Sequence, residues 1–360
     1  MRMVITILML LLNLRAARAD LMYSVTNLGG IGGSEAVAFG INNAGEAVGW
    51  AQNPYGETSA FRALPDAVFQ GVSPAGAPEC FAYSVNASGA IAATSYRNGQ
   101  PHGMILTQSG VSDLGPGTYA LAINDSGQVA GAGNGRAQLH RNGAAADLGV
   151  LPGGSWSAAY GINNAGAVAG TSDVAGGRFR AFLWTSEAGM TDLGTLGGSN
   201  SYAMSINGSG VVAGFAATTS EYEHAFVYVA GRLIDLGTLG GGSSFAYGVN
   251  DDDTVVGYSF IADGSDTHAF VDSNGVMSDL NSLIPADSGW VLLQAFGVND
   301  SGQIVGTGLF DGQSQAFRLD PMHAPACTAV PEPAPVVMLG IAIVLLAIRG
   351  TLSSWSARRR

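Results

Sequence analysis

A short unit, Ile or Val followed by Asn and a small-residue turn that usually holds Gly three positions on, constrains this chain more than any other feature. Its Asn falls at Asn42, Asn86, Asn124, Asn163, Asn207, Asn250 and Asn299, at intervals of 44, 38, 39, 44, 43 and 49 residues. Seven copies at a period of about 43 residues point to a repeat architecture. The best copy runs from Thr191 to Tyr228 and resolves into apolar pieces. Ser201–Asn207 alternates Tyr202, Met204 and Ile206 with small residues, which is the period-two pattern of a strand. Asn207–Gly210 reads as a tight turn, Val211–Ala216 as a second strand, His224–Val229 as a third and Leu233–Leu239 as a fourth. Four short antiparallel strands per repeat make one propeller blade, and seven copies make a seven-bladed β-propeller, an all-β fold.

The two ends of the repeat region support a closed ring. The last copy offers three strands, Gln294–Asn299, Gln303–Gly306 and Ala316–Leu319, and then stops. A lone strand, Met22–Leu28, stands before the first copy and ends in Asn27-Leu28-Gly29, where other copies carry Asp-Leu-Gly. An N-terminal strand that completes the last blade would leave no open sheet edge.

The termini carry addresses. Arg2, the apolar run Met3–Leu14 and Ala17-Arg18-Ala19 form the three parts of a secretory signal peptide over 1–19, followed by the propeller over 20–319. A Pro-rich linker over 320–335 precedes an apolar segment and Arg-rich tail over 336–360, read as one transmembrane helix anchored by Arg349, Arg358, Arg359 and Arg360. The polarity of that segment places the body outside the membrane. All fifteen basic residues are Arg, and seven of them lie in these terminal segments, so the body is strongly acidic and the whole chain carries −12. Such a surface excludes nucleic acid, whose phosphates need cations.

Two resemblances follow from these residues. The ordered set Val330-Pro331-Glu332-Pro333, apolar helix and terminal Arg cluster resembles a PEP-CTERM sorting signal. It departs from the usual tail in the extra GTLSSWSA before the last Arg residues. Membership would imply a Gram-negative bacterium, an exosortase-type processing enzyme as partner, and delivery to the cell envelope or cell surface. On the third strand, His224-Ala225-Phe226 and His268-Ala269-Phe270 resemble the signature of HAF repeats. Other copies read Ser59-Ala60-Phe61, Arg180-Ala181-Phe182 and Gln315-Ala316-Phe317, with His102-Gly103-Met104 and Arg136-Ala137-Gln138 more divergent. That resemblance implies an extracellular repeat protein and leaves its chemistry open.

Candidate chemistry is sparse. The Asp of Asp-Leu-Gly, at Asp113, Asp147, Asp192, Asp235 and Asp279, could line one rim of a ring, but a residue repeated in every blade more often serves its own turn. Asn250-Asp251-Asp252-Asp253 is the densest acidic cluster, with oxygen ligands of a kind that suit Ca²⁺, but it sits at the repeat turn and lacks the Gly and bidentate Glu of a calcium loop, so a solvated turn and no cofactor are expected. Glu221, Glu223 and His224 form a small constellation at a strand edge. GAGNG at Gly131–Gly135 reads as a hairpin turn, and the Asn-x-Ser sequences at Asn86, Asn124, Asn207 and Asn299 coincide with the repeat turn. No catalytic or phosphate-binding motif occurs. Cys80 and Cys327 could form a disulfide between linker and body; two free thiols, or Cys327 as a processing or lipid-attachment handle, are the alternatives. The expected function is that of a non-enzymatic exported protein presenting a binding or structural surface, with extracellular polysaccharide as a partner class. A carbohydrate-active hydrolase or lyase on the same scaffold is the alternative.

Overall fold

The computed structural model describes residues 22–322, apart from 67, 75, 78, 263 and 265. The signal peptide, the linker beyond 322, the anchor helix and Cys327 lie outside the described residues. No helix among the described residues is long and apolar enough to cross a membrane.

Seven four-stranded antiparallel sheets follow one another along the chain. Blade one runs from Ala36 to Gly71, blade two from Glu79 to Pro116, blade three from Thr118 to Asp147 and blade four from Ser157 to Asp192. Blade five covers Gly197–Asp235 and blade six Gly240–Asp279. Blade seven takes its inner three strands from Trp290–Val298, Ile304–Phe310 and Gln313–Met322, and its outer strand is Met22–Asn27. The ring is thus closed by the N-terminal strand as expected. The strands overrun the sequence-based limits at several ends: the first strand of blade five begins at Gly197 rather than Ser201. Its fourth strand, in contrast, ends at Asp235.

The repeat Asn does more than shape a turn. Its Oδ1 accepts backbone N–H groups of its own turn, from Ala44 and Glu46 at Asn42 for example. Its Nδ2 donates to the main-chain carbonyl of the Asn in the next blade. These bonds run from Asn42 to Asn86, Asn124, Asn163, Asn207, Asn250 and Asn299, at 2.9–3.1 Å. Asn299 then donates back to Asn42 at 2.9 Å, so seven buried amides form a closed hydrogen-bonded circle. Only an amide of this length can accept from its own turn and donate to a neighbour at once.

The signature on the third and fourth strands has an equally local explanation. The Phe of each good copy lies opposite a second-strand glycine, as Phe226 does against Gly214. A Cβ on Gly214 would clash with the Tyr202 carbonyl oxygen and meet the Phe226 ring tip at 3.0 Å, so the close first-strand backbone, with the ring beside it, requires glycine. Phe61, Phe182, Phe226, Phe270 and Phe317 are all fully buried and belong to apolar layers between neighbouring blades. The Leu of Asp-Leu-Gly donates its N–H to the Ala of the signature, as Leu236 does to Ala225 at 2.9 Å. A first-strand serine of the following blade then ties both motifs together. Ser244 Oγ accepts from Ala225 N at 2.8 Å and donates to Gly237 O at 2.5 Å; Ser201 and Ser157 repeat the arrangement.

Candidate binding cavity at the aromatic mouth

Every first strand carries a β-bulge at the third residue before its Asn. A bulge re-aims a side chain. Here it turns one residue per blade, Phe39, Tyr83, Leu121, Tyr160, Met204, Tyr247 and Phe296, into the central channel, which all seven line. Edge-to-face packing links Phe39 to Phe296 at 5.0 Å and Phe296 to Tyr247 at 5.2 Å, so part of this belt is a continuous aromatic wall.

The two mouths of the channel differ. One is polar and is lined by the Asn circle and its neighbours, including Asn43, Asn164, Asp125, Asp251 and Asp300. The carboxylates there already hold protein donors. Asp125 accepts from Ala87 N and Asn164, Asp251 from Gly208 N, and Asp300 from Asp251 N and Asn43. The other mouth opens into a cavity of about 570 Å³ above the aromatic belt. This cavity is eccentric. Beyond the belt it is lined by Tyr119, Ala132, Gly133, Gly135 and Ala158 of blades three and four, and by Gly117 and Trp156 immediately before their first strands.

The reason is visible one step further from the channel, five residues before each Asn. In blades five and six that position is aromatic and faces an aromatic residue of the second strand. Tyr202 stacks on Phe215 with centroids 4.8 Å apart, and Phe245 on Tyr258 at 4.9 Å. In blade three Tyr119 faces Ala132, and in blade four Ala158 faces Thr171. Half of one stack and the whole of the next are missing beside the cavity; blade seven, where Gln294 faces Thr307, lacks the stack as well, but those two residues do not line it.

The walls of this opening are held firmly. The Trp156 N–H donates to Asp173 Oδ1 at 2.7 Å, and the Ser157 N–H to Gly135 O at 3.0 Å. The second- and third-strand hairpin of blade three turns through Asn134 and Gly135, both at positive φ, as the Gly-Asn-Gly sequence predicts. Its bare backbone leaves the slot open beside the Trp156 ring. Burial pushes the phenols of Tyr83, Tyr160 and Tyr247 above their ordinary value, so all three stay neutral at physiological pH. No carboxylate, His, Cys or Ser lines the cavity among the described residues.

The residues singled out in the sequence fall elsewhere. Each of these Asp residues, four in Asp-Leu-Gly and Asp279 in Asp-Leu-Asn, accepts from the backbone N–H two residues on, at 2.7–2.8 Å, so it serves its own turn. It also pairs across strands with the residue that opens the third-strand signature. The pairs are His102–Asp113, His224–Asp235 and His268–Asp279 at 3.2, 3.0 and 2.6 Å, with Arg136–Asp147 and Arg180–Asp192 looser. His224 is thereby drawn away from Glu221, which holds Ser199, while burial raises the Glu223 carboxyl. In the acidic turn, Asp251 and Asp253 accept from Gly208 N and Asn207 Nδ2. No group of three or more metal-binding side chains occurs among the described residues. The four Asn-x-Ser asparagines are buried in the circle. Cys80 is buried in the layer between blades one and two, and burial pushes its thiol up to about 11. The aromatic belt escaped sequence reading, although a bulky residue between two small ones, three before each Asn, was its signal.

No protein-family model matches the chain, and no curated protein matches it. Among solved structures it is similar to a puromycin-hydrolysing peptidase of Mycobacterium tuberculosis, with a TM-score of 0.54 and 12% identity over 84% of this chain and 56% of that one. TolB of Acinetobacter baumannii is similar at a TM-score of 0.45 and 13% identity, over 82% and 65% of the two chains. A Xanthomonas campestris gluconolactonase follows at 0.45 and 12%, over 86% and 93%. The chain spans 65% and 56% of the TolB and peptidase chains. At 12% identity the likeness to the peptidase is one of fold alone.

Proposed function

We propose that the protein is an exported, non-enzymatic binding propeller that takes its ligand at the aromatic mouth. The observation that carries this reading is the lining of the cavity of about 570 Å³ at that mouth, which combines aromatic and small residues and holds, among the described residues, no carboxylate, His, Cys or Ser. A hydrolase or lyase acting on sugars would need carboxylates or comparable groups facing the bound substrate. Export and envelope sorting rest on the terminal segments, with an exosortase-type enzyme as the processing partner and the 336–360 helix as the tether before processing. Extracellular polysaccharide is the partner class that such a location brings to the cavity.

Incubating the purified protein with a panel of polysaccharides and esters, and reading products by mass spectrometry, tests the non-enzymatic part. No product should form. Products that vanish on a single substitution at the mouth would overturn it. Intact mass of the protein recovered from envelope and medium tests the sorting part, which requires an end near Pro331–Pro333.

A further inference from the structure

The opening between Tyr119 and Trp156 has a definite shape, because the same molecule shows what fills it elsewhere. In blades five and six the space is taken by Phe215 on Tyr202 and by Tyr258 on Phe245. In blade three Ala132 stands where Phe215 stands, and the Tyr119 ring keeps one face free of a stacking partner in its own blade. In blade four Thr171 takes the same place, buried with its hydroxyl unpartnered. The vacancy is therefore a slot for a six-membered ring, walled by Tyr119 and Trp156 and floored by the bulge residues.

The chemistry of the slot narrows the ring. Tyr83 and Tyr160 line it as neutral phenols. The lining has no charged side chain to hold an ion, and Asp173 stands just behind Trp156. Two backbone N–H bonds, from Trp156 first and Ser155 as well, hold the Asp173 carboxyl below its ordinary value and keep it ionised. The chain as a whole carries −12, so an anionic ligand is repelled. A ligand with a flat C–H face for the aromatic walls and hydroxyls for the phenols meets both conditions. A cavity of about 570 Å³ lies within the size of sites for drug-sized ligands and exceeds a single ring.

We infer that the slot over blades three and four binds a neutral oligosaccharide, with one pyranose ring seated between Tyr119 and Trp156 and its hydroxyls on Tyr83 and Tyr160. This deepens the binding reading above and rests on it. The discriminating variant is Ala132→Phe, which rebuilds in blade three the stack that blades five and six already carry. Its fold is checked by far-ultraviolet circular dichroism and thermal unfolding, and Trp156→Ala serves as a second, independent variant.

The full chain in a sugar-free detergent is titrated calorimetrically with neutral hexasaccharides of glucose, mannose and galactose, with oligogalacturonate, and with a neutral naphthyl alcohol. At least one neutral hexasaccharide should bind, weakened ten-fold or more by A132F and W156A, with oligogalacturonate bound at least ten-fold more weakly. Binding of naphthyl alcohol alone, lost in A132F, would overturn the sugar assignment and leave the cavity as a binding site. If no probe binds, or A132F binds as wild type does, both the sugar assignment and the mouth as binding site fall.

Discussion

Blades five and six and blades three and four are built alike where they touch the ring and differ where they face the mouth. Both pairs contribute their Asn to the amide circle and one bulged residue to the channel. The contrast lies in a handful of positions: Tyr202, Phe215, Phe245 and Tyr258 against Tyr119, Ala132, Ala158 and Thr171. A repeat fold can thus separate what keeps it closed from what it binds. Substitutions at shared positions should cost stability in any blade, whereas substitutions at face positions should change binding in one place.

The largest effect is expected where the ring is closed. Removing residues 22–28 takes away the outer strand of blade seven and two buried side chains, Tyr23 and Leu28, and exposes an unpaired sheet edge. Loss of apolar burial alone amounts to about 3–6 kcal/mol. The protein should lose cooperative thermal unfolding, as scanning calorimetry would show.

Next comes the circle itself. Asn207→Ala removes one of the two donors to the Asn250 carbonyl, the Asn207 donor to the Asp253 carboxylate and the acceptor of the Val211 N–H. Asn124→Ala does the corresponding damage in blade three. Each should cost about 2–4 kcal/mol in urea unfolding. A difference between the two much above 1 kcal/mol would break the claim that the circle is indifferent to blade identity.

Face positions should behave otherwise. Phe215→Ala removes a half-buried stacking ring and should cost about 1–3 kcal/mol while opening a second slot over blade five. Ala132→Phe should leave stability unchanged or raise it by up to about 1 kcal/mol, since it supplies the ring that Tyr119 lacks.

The smallest effect is electrostatic, and its sign differs between two sites. Burial alone would raise the Asp113 carboxyl, but the Gly115 N–H, His102 and Arg97 together lower it. The stability it contributes is present above its unfolded value and is lost as pH falls through the lowered one. Glu223 is raised by burial, so the folded state weakens as pH climbs from the unfolded value to the raised one. After solvent screening each is worth below about 0.5 kcal/mol. Asp113→Asn should flatten the acid limb of the stability profile, and Glu223→Gln should slightly stabilise at neutral pH.

Much of this was legible in the sequence. The period, the turn chemistry and the split last copy led to seven blades and to the strand that closes them, because strand pattern and edge satisfaction are local demands. The Asp-Leu-Gly carboxylates were also legible as turn residues. The amide circle was not: the Asn side chain bonds residues 38–49 positions away, or 257 at the closing bond, and nothing in one copy reveals that partner. Nor was the cross-strand His–Asp pairing, although its parts vary together within the chain. Where the signature opens with Ser59 or Gln315, the Asp position of the fourth strand is held by Gly71 or Asn27. The cavity was hidden for a related reason, since it exists through residues that are small only relative to their counterparts in other blades.

Retardation of wild type, A132F and F215A in native gels containing neutral polysaccharide tests most directly whether the open slot is the binding site. Across a set of neutral glucans, mannans and galactans, wild type should be retarded by at least one. F215A should be retarded at least as strongly by that polymer, and A132F should run as in a plain gel. Equal retardation of wild type and A132F would contradict the assignment, because filling the slot would then have left binding untouched.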